Sequence, residues 1–396
     1  MIIDELRIIG STQTNVVMAA EVTRVAQRAL GIRPAAPRKE GLGQLVYPFD
    51  RDLAFCAVTY LRTPTRVLWD VYRSRAPRLE PLYDELAADA RADARALFRD
   101  GDGLSIEARH VEAFAAGERQ IVGTVKNALV DAARLRGLRL HVDPAHPALR
   151  WVVRLDDRGE LVVSIDLGGG SLSQRGWRRD AGEAPLREHL AAVLLMLCRF
   201  DPRADVLVDP MCGSGTIPIE AIHAARATPR PTPALAALGI VPSRSPPPPR
   251  QLGGPLFPDA APLVIGCDLD LDVLAAARDN GRAAGVAELV VWQRADVTGL
   301  SPEVIAEIAR ERGHARPGTG LLLTNPPYGE RLDQADLDEL YSALAATCRR
   351  FRGWRAGFLV GNPLFEQVFR RSFGQPRIKK PLANANLRAY FYGYDL

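Results

Sequence analysis

The sequence predicts an α/β protein, with a doubly wound, mostly parallel sheet in its C-terminal half and an α+β region before it. Three observations carry this reading. From about residue 184, short apolar runs alternate with amphipathic helical stretches. Several of those runs end on an acid or an amide, as in Asp205–Asp209, Leu263–Asp268 and Gly320–Asn325. A glycine turn, Gly213-Ser-Gly215, stands between the first run and the helix that follows it.

The elements follow in order. Met18 to Leu30 has helical spacing, ended by Gly31 and Pro34. Leu53 to Leu61 is apolar and leads through Arg62-Thr-Pro64 into Arg66-Val-Leu-Trp-Asp-Val71, whose alternation reads as a strand. Leu82 to Phe98 reads as a helix, Leu104 to Ala108 as a strand, and Val122 to Leu135 as a helix closed by Gly137. Trp151 to Leu155 and Leu161 to Asp166 flank Asp156-Asp-Arg-Gly159, a hairpin signal.

The second half reads as helix Leu186–Leu197, strand Asp205–Asp209, helix Ile217–Ala227, strand Leu263–Asp268 and helix Leu271–Ala284. Strands Leu289–Gln293 and Gly320–Asn325, helix Leu337–Phe351 and strand Trp354–Val360 complete it. The aromatic alternation from Leu387 to Tyr394 is expected to close the sheet edge antiparallel. Residues 228–262 break the rhythm with crowded prolines, including Pro246-Pro-Pro-Pro249, and read as an inserted loop.

Composition narrows the classes. The 396 residues carry 51 basic and 47 acidic side chains, a net charge of +4, with 47 % hydrophobic and 25 % charged residues. That excludes a disordered chain and a polycation, yet a local basic face fits within a near-neutral total. All basic residues except Lys39, Lys126, Lys379 and Lys380 are arginine. The five cysteines are scattered and never in C-x-x-C spacing, which fits a reducing cytosol and speaks against a zinc site. The six histidines lack ligand spacing, so no metal is expected. The start carries Asp4 and Glu5 with no basic–apolar leader, and the apolar run Leu190–Cys198 is too short to span a bilayer. A cytoplasmic, monomeric chain with no membrane partner is the expectation.

Two motifs carry chemistry. In Asp209-Pro-Met-Cys-Gly-Ser-Gly-Thr216 the glycines allow a tight turn and the helix start offers free N–H groups. A P-loop would need a lysine, and a nicotinamide-binding turn a glycine where Pro218 stands. Asp268 lies 59 residues after Asp209, or 24 once the 35 residues of the insertion are set aside. That is the place for an acid on a ribose hydroxyl pair. Asp296, after the third strand, suits an adenine amino group.

The second motif is Thr324-Asn-Pro-Pro-Tyr-Gly-Glu-Arg331. Its prolines fix an extended backbone without donors. Asn325 presents an amide oxygen and Pro326 a carbonyl, two acceptors suited to an exocyclic amine, and Tyr328 offers a face on which a base stacks.

These residues resemble the class I S-adenosylmethionine-dependent methyltransferases that modify exocyclic amino nitrogens. The longer N-P-P-Y-G-E-R form is similar to bacterial guanine-N2 methyltransferases of the large-subunit (23S) ribosomal RNA, the methyltransferase L group, and their transfer-RNA relatives. Leu172-Ser-Gln-Arg-Gly-Trp-Arg178 with Ala184-Pro-Leu-Arg-Glu188 resembles the junction segment that helps enclose the cofactor in that family.

The resemblance implies a Rossmann-like class I methyltransferase domain over residues 171–396. Before it would come a ferredoxin-like part over 1–65 and a THUMP-like RNA-binding domain over 66–170. It implies S-adenosyl-L-methionine held by Pro185, Asp209, Met211, Cys212, Gly213, Ser214, Gly215, Thr216, Asp268, Leu269, Asp296, Val297 and Asn325. It implies catalysis by Asn325, Pro326, Pro327 and Tyr328, and a structured RNA partner, ribosomal or alternatively transfer RNA. Arg150, Arg154, Arg175 and Arg178 stand as candidate phosphate contacts, beside the plainer and favoured reading of solvated arginines.

Three departures bear on the substrate. The first fifty residues lack the family's cysteine-and-glycine opening, the insertion is proline-rich, and Asn384-Ala-Asn386 stands where the family often has Asn-Gly. The rivals are an adenine-N6 DNA methyltransferase, which shares N-P-P-Y, a catalytically silent RNA-binding assembly factor, and a nicotinamide-dependent oxidoreductase, disfavoured by Pro218. Cys212 as a nucleophile is the weaker reading beside packing, since it lies in the glycine loop.

Overall fold

The computed structural model describes residues 1–178, 186–230, 253–314, 318–328, 333–384 and 388–396. They form two compact units. The first comprises Met1–Gly10, Met18–Leu172 and Pro229–Gly253, the second Ser11–Val17, Ser173–Thr228 and Gly254–Leu396.

The first unit is built on one sheet of β1 (Ile2–Ile9), β2 (Arg38–Glu40), β3 (Gln44–Pro48), β4 (Arg66–Ser74), β5 (Gly103–Arg109), β6 (His141–Val142), β7 (Leu149–Leu155) and β8 (Leu161–Asp166). Their order is β2-β3-β1-β4-β8-β7-β5-β6. β5 runs parallel to β6 and β7, and the other pairs are antiparallel. The Asp156–Gly159 turn joins β7 and β8 as the sequence predicts.

Strands from both the 1–65 and the 66–170 segments share this sheet, tied together by buried charge. Arg7 is fully buried and donates to Asp70 (2.8 Å) and Glu40 (2.6 Å). Arg154 donates to the same Asp70 oxygen at 2.8 Å, and the Ser164 hydroxyl to the other oxygen at 2.6 Å. Removing Asp70 would leave the buried Arg154 guanidinium without its ion-pair partner and Arg7 with Glu40 alone, which is costly. Arg154 is therefore part of the sheet and unavailable to phosphate, contrary to the sequence expectation. Arg150 is half-buried on the same strand.

The second unit has seven strands: β9 (Asp205–Asp209), β10 (Val264–Asp268), β11 (Val290–Arg294), β12 (Thr319–Thr324), β13 (Arg355–Val360), β14 (Ile378–Pro381) and β15 (Tyr390–Asp395). Their order is β11-β10-β9-β12-β13-β15-β14. The first five are parallel, β15 is antiparallel to β13, and β14 antiparallel to β15. The C-terminal aromatic strand is thus antiparallel as expected but lies inside the sheet. β14, whose two lysines and proline hide the strand pattern, forms the edge.

Both faces are covered, as a parallel sheet requires. In β9, Val206 and Val208 pack on one side with Tyr341, Phe358, Phe365 and Phe369. Leu207 packs on the other with Leu190, Leu194, Ile219 and Ile222. After α1 (Asn15–Leu30), α2 (Arg51–Tyr60), α3 (Leu79–Leu97) and α4 (Glu118–Arg134), the helices that do this are α5 (Glu188–Leu197), α6 (Thr216–Arg226), α7 (Leu271–Ala283), α8 (Pro302–Glu311), α9 (Gln334–Cys348) and α10 (Pro363–Phe373). Asp270, Asp333 and Asn362 cap the starts of α7, α9 and α10 through their side-chain oxygens.

Strand order reverses between β9 and β12, so a crevice opens beyond the carboxyl ends of these two strands. Both motifs sit there. Residues 231–252 of the proline-rich insertion lie outside the described residues. Its C-terminal flank folds onto the end of α6, with the Phe257 N–H donating to the Arg226 carbonyl (3.0 Å) and the Arg226 guanidinium to the Ala260 carbonyl (3.0 Å). Among the described residues, no helix is long and apolar enough to cross a membrane.

Candidate active site

The glycine loop follows β9. Gly213 has φ +53° and Gly215 φ +83°, both in the left-handed region. A side chain at Gly215 would start 2.8 Å from the Trp292 ring and 3.2 Å from Ala277 Cβ, so indole and helix leave room only for backbone. Above Gly213 the space is open, with nothing within 4 Å of where a Cβ would stand. The loop therefore packs tightly below and presents bare backbone above.

Polar groups hold it in this shape. The Gly213 N–H donates to Asp268 Oδ2 at 3.0 Å, and the Cys212 N–H to the Cys267 carbonyl at 2.7 Å. Asn280, fully buried on α7, donates to the Ser214 carbonyl at 3.0 Å. Arg178 reaches the Ser214 hydroxyl (3.3 Å), the Thr216 hydroxyl (3.0 Å) and the Leu186 carbonyl (2.8 Å), and pairs with Glu188 at 3.2 Å. Arg175 is buried, against Glu220 at 3.4 Å. The sequence offered both arginines as phosphate contacts or solvated side chains; Glu220 turns Arg175 inward and Glu188 holds Arg178 beside the loop. Arg178 becomes a brace between the junction segment and the glycine loop.

Asp209 is buried at the end of β9, where it accepts from the Met211 N–H at 3.2 Å. Burial raises its carboxyl to about 7, against the opposing hydrogen bonds from Thr324 and Met211. Burial and the nearby Asp209 and Asp268 carboxylates push the Cys212 thiol up, so it stays protonated and inert at neutral pH.

Asp268, half-buried, ends β10, and next to it Leu269 is 57 % exposed. Asp296 is exposed, with its carboxyl held down by hydrogen bonds from Thr298, and Val297 behind it is buried. Two carboxylates at successive strand ends, an exposed apolar side chain between them and open backbone above Gly213 fit an adenosyl group, with an acid for the ribose hydroxyls. Asp268 already accepts from the Gly213 and Asp270 N–H groups, and its remaining lone pairs stay available. Pro185 lies outside the described residues. Among those described, no cluster of three or more His, Cys, Asp or Glu is placed to hold a metal ion.

The N-P-P-Y segment follows β12, beside the glycine loop: the Thr324 hydroxyl donates to the Met211 carbonyl at 3.4 Å. Asn325 is half-buried, Pro326 buried and Pro327 exposed. The Tyr328 hydroxyl donates to Asn325 Oδ1, which fixes the oxygen end of that amide and leaves it a second lone pair. The Tyr341 hydroxyl donates to the Pro327 carbonyl at 2.8 Å, and the Asn362 amide to the Tyr328 carbonyl at 3.2 Å. A Gly361 side chain would start 3.4 Å from the Tyr328 ring and 3.0 Å from the Arg388 carbonyl, so that glycine lets the ring lie against backbone. The extension Gly329-Glu330-Arg331 lies outside the described residues.

Both loops and all three acids thus lie at or just after the carboxyl ends of strands, where the sequence reading puts them. Trp292, Asn280, Tyr341 and Asn362 had no signal in it. Each acts on a motif far away in the chain, and each is of a type common in cores and caps.

The family described as UPF0020, RMKL-like, methyltransferase domain, matches residues 175–388. The chain is 35 % identical over 329 residues to Ribosomal RNA large subunit methyltransferase K/L of Chromohalobacter salexigens, covering 79 % of this chain and 43 % of that protein. It thus spans less than half of that relative's length.

Two solved structures share its fold. One, from Listeria monocytogenes, is described as a predicted N6-adenine-specific DNA methylase, with TM-score 0.75, 22 % identity and 99 % and 96 % of the two chains covered. The other, SMU.472 complexed with SAH, has TM-score 0.74, 23 % identity and 100 % and 98 % coverage. A match over more than half the chain, together with this identity, settles one point: the chain belongs to the RMKL-like methyltransferase-domain family.

Proposed function

We propose that this chain is an S-adenosyl-L-methionine-dependent RNA methyltransferase acting on the exocyclic N2 amine of a guanine, with large-subunit ribosomal RNA as its substrate. One observation carries the reading. Asn325 Oδ1 and the Pro326 carbonyl stand together at the end of β12, beside a loop suited to an adenosyl group, and the two carbonyls that follow are already engaged.

When bound, S-adenosyl-L-methionine supplies a methyl group on a sulfonium, which leaves as a neutral thioether once the methyl has moved. Asp268 and Asp296 bind the ribose and adenine edges, and the bare backbone at Gly213 lets the donor approach. Asn325 Oδ1 and the Pro326 carbonyl each accept one N–H of the base amine. With both hydrogens so directed, the nitrogen lone pair turns out of conjugation with the ring and toward the methyl group. Tyr328 offers its face to the base. The new bond joins nitrogen to carbon, the amine becomes a cation, and its proton passes to water without a dedicated base. The gain is positioning and electrostatics. The base must leave its stack to reach the crevice, at a cost of a few kcal/mol.

The first unit, with its ferredoxin-like and THUMP-like parts, holds the RNA in this reading. Arg24, Arg33, Arg119 and Arg158, exposed on that unit, support it. The test is transfer of labelled methyl from donor to unmodified ribosomal RNA by the wild-type and Asn325→Ala proteins. Asn325→Ala is expected to lose about 100- to 1,000-fold in kcat. Full activity of that variant would remove Asn325 from the reaction.

A further inference from the structure

We infer that Tyr341 and Asn362 are positioning residues for methyl transfer: together they tie back the Pro327 and Tyr328 carbonyls and so clamp the Asn325–Tyr328 segment with the Pro326 carbonyl left for the substrate amine. The inference deepens the proposed function and rests on it.

The need for a clamp is set by the prolines. Pro326 and Pro327 have no N–H, so two successive positions of this segment cannot donate to any neighbour. A run that offers only acceptors must be held by donors from elsewhere. Two are supplied, from different elements. Tyr341 lies in α9, is fully buried, and donates its hydroxyl to the Pro327 carbonyl at 2.8 Å. Its ring packs edge-on against Phe365, with centroids 5.4 Å apart, which fixes where the hydroxyl points. Asn362 lies between β13 and α10 and uses both ends of its amide. Its oxygen caps α10 by accepting from the Leu364 N–H at 2.9 Å, and its nitrogen donates to the Tyr328 carbonyl at 3.2 Å.

Among the described residues the Pro326 carbonyl has no such partner. Of three consecutive carbonyls, the two on the far side are tied back and the one beside Asn325 stays open. The Tyr328 hydroxyl bond to Asn325 Oδ1 completes the arrangement by fixing the amide's orientation. The Pro326 carbonyl is thus positioned by the bonds of Tyr341 and Asn362 to the two carbonyls after it, and Asn325 Oδ1 by the Tyr328 that also faces the base.

Two substitutions isolate the donors. Tyr341→Phe removes one hydroxyl and keeps the ring packing. Asn362→Asp keeps the oxygen that caps α10, since aspartate is an equally good cap, and removes the N–H that holds Tyr328. Each is expected to lower kcat by about ten- to a hundred-fold, with the donor's Kd and the RNA KM unchanged within about two-fold. Because both act on one segment, the double variant is expected to lose less than the product of the single losses.

A second readout needs no turnover: amide hydrogen exchange in the 318–328 peptide is expected to quicken at least three-fold in each variant, with the peptide covering α5 unchanged. Wild-type transfer with unaltered kcat in both variants overturns the clamp while leaving the proposed function intact. No transfer to RNA by the wild type overturns the proposed function, and exchange then decides the clamp alone. Unchanged exchange in the 318–328 peptide overturns it.

Discussion

Gly215→Ala is the substitution whose cost can be worked most fully from the structure. The residue sits at φ +83° as the N-terminal cap of α6, and an added Cβ would stand 2.8 and 3.1 Å from two atoms of the Trp292 ring and 3.2 Å from Ala277 Cβ. Two costs separate. Holding a non-glycine residue in the left-handed region takes about 1–2 kcal/mol. Forcing a methyl into a filled space takes about 1–3 kcal/mol. Trp292 cannot easily swing away, because its indole N–H donates to the Ala287 carbonyl at 3.2 Å. The sum is about 2–5 kcal/mol, read in urea unfolding of the full chain as a shift of the second unit's transition. A Trp292→Phe change in the same chain shortens the ring and should return the steric share owed to the indole, leaving the backbone share of about 1–2 kcal/mol and the close approach to Ala277. Donor affinity should fall alongside, since the loop moves. A Gly215→Ala protein within about 0.5 kcal/mol of wild type, a level usual for surface changes, would refute the packing argument.

Two further outcomes follow from the same loop. Arg178→Ala removes the brace on Ser214 and Thr216 and leaves Glu188 short of its partner. Donor Kd should rise about ten-fold or more, measured by calorimetric titration, and an unchanged Kd would return Arg178 to the surface. Asp209 titrates at about 7 in the fold, raised by burial, against about 3.8 in the unfolded chain. The folded form therefore holds a proton that the unfolded form has lost, and the contribution of Asp209 to stability falls as pH rises from about 4 to about 7. The slope is about 1.4 kcal/mol per pH unit, about 4 kcal/mol across the window. In a pH series of urea melts the difference in stability between wild type and Asp209→Asn should change by that amount across the window, and parallel profiles would show that Asp209 is not the titrating group.

How far the chain was legible depended on how its polar groups are satisfied. β9, β10 and β12 are buried on both faces and read as apolar runs, so the parallel sheet and the loops at its carboxyl edge showed in the sequence. β1 did not. It carries Asp4, Glu5 and Arg7, and nothing local reveals that Arg7 is fully buried against Asp70, 63 positions away. β14 was hidden in the same way by Lys379, Lys380 and Pro381. Arginine caused the main misreading at the site: a guanidinium reads as solvent- or phosphate-facing, and Arg154 and Arg175 were turned inward by Asp70 and Glu220. The groups that shape the loops, Trp292 under Gly215 and Tyr341 behind Pro327, act through contacts that appear only once the strands are laid side by side.

The most direct test of the central claim is to identify the product. Unmodified ribosomal RNA is incubated with the wild-type chain and S-adenosyl-L-methionine, then digested to nucleosides for mass spectrometry. N2-methylguanosine that disappears with Asn325→Ala is the expected result. N6-methyladenine as the product, in RNA or only in DNA, or no methylated nucleoside while the donor still binds, would contradict it.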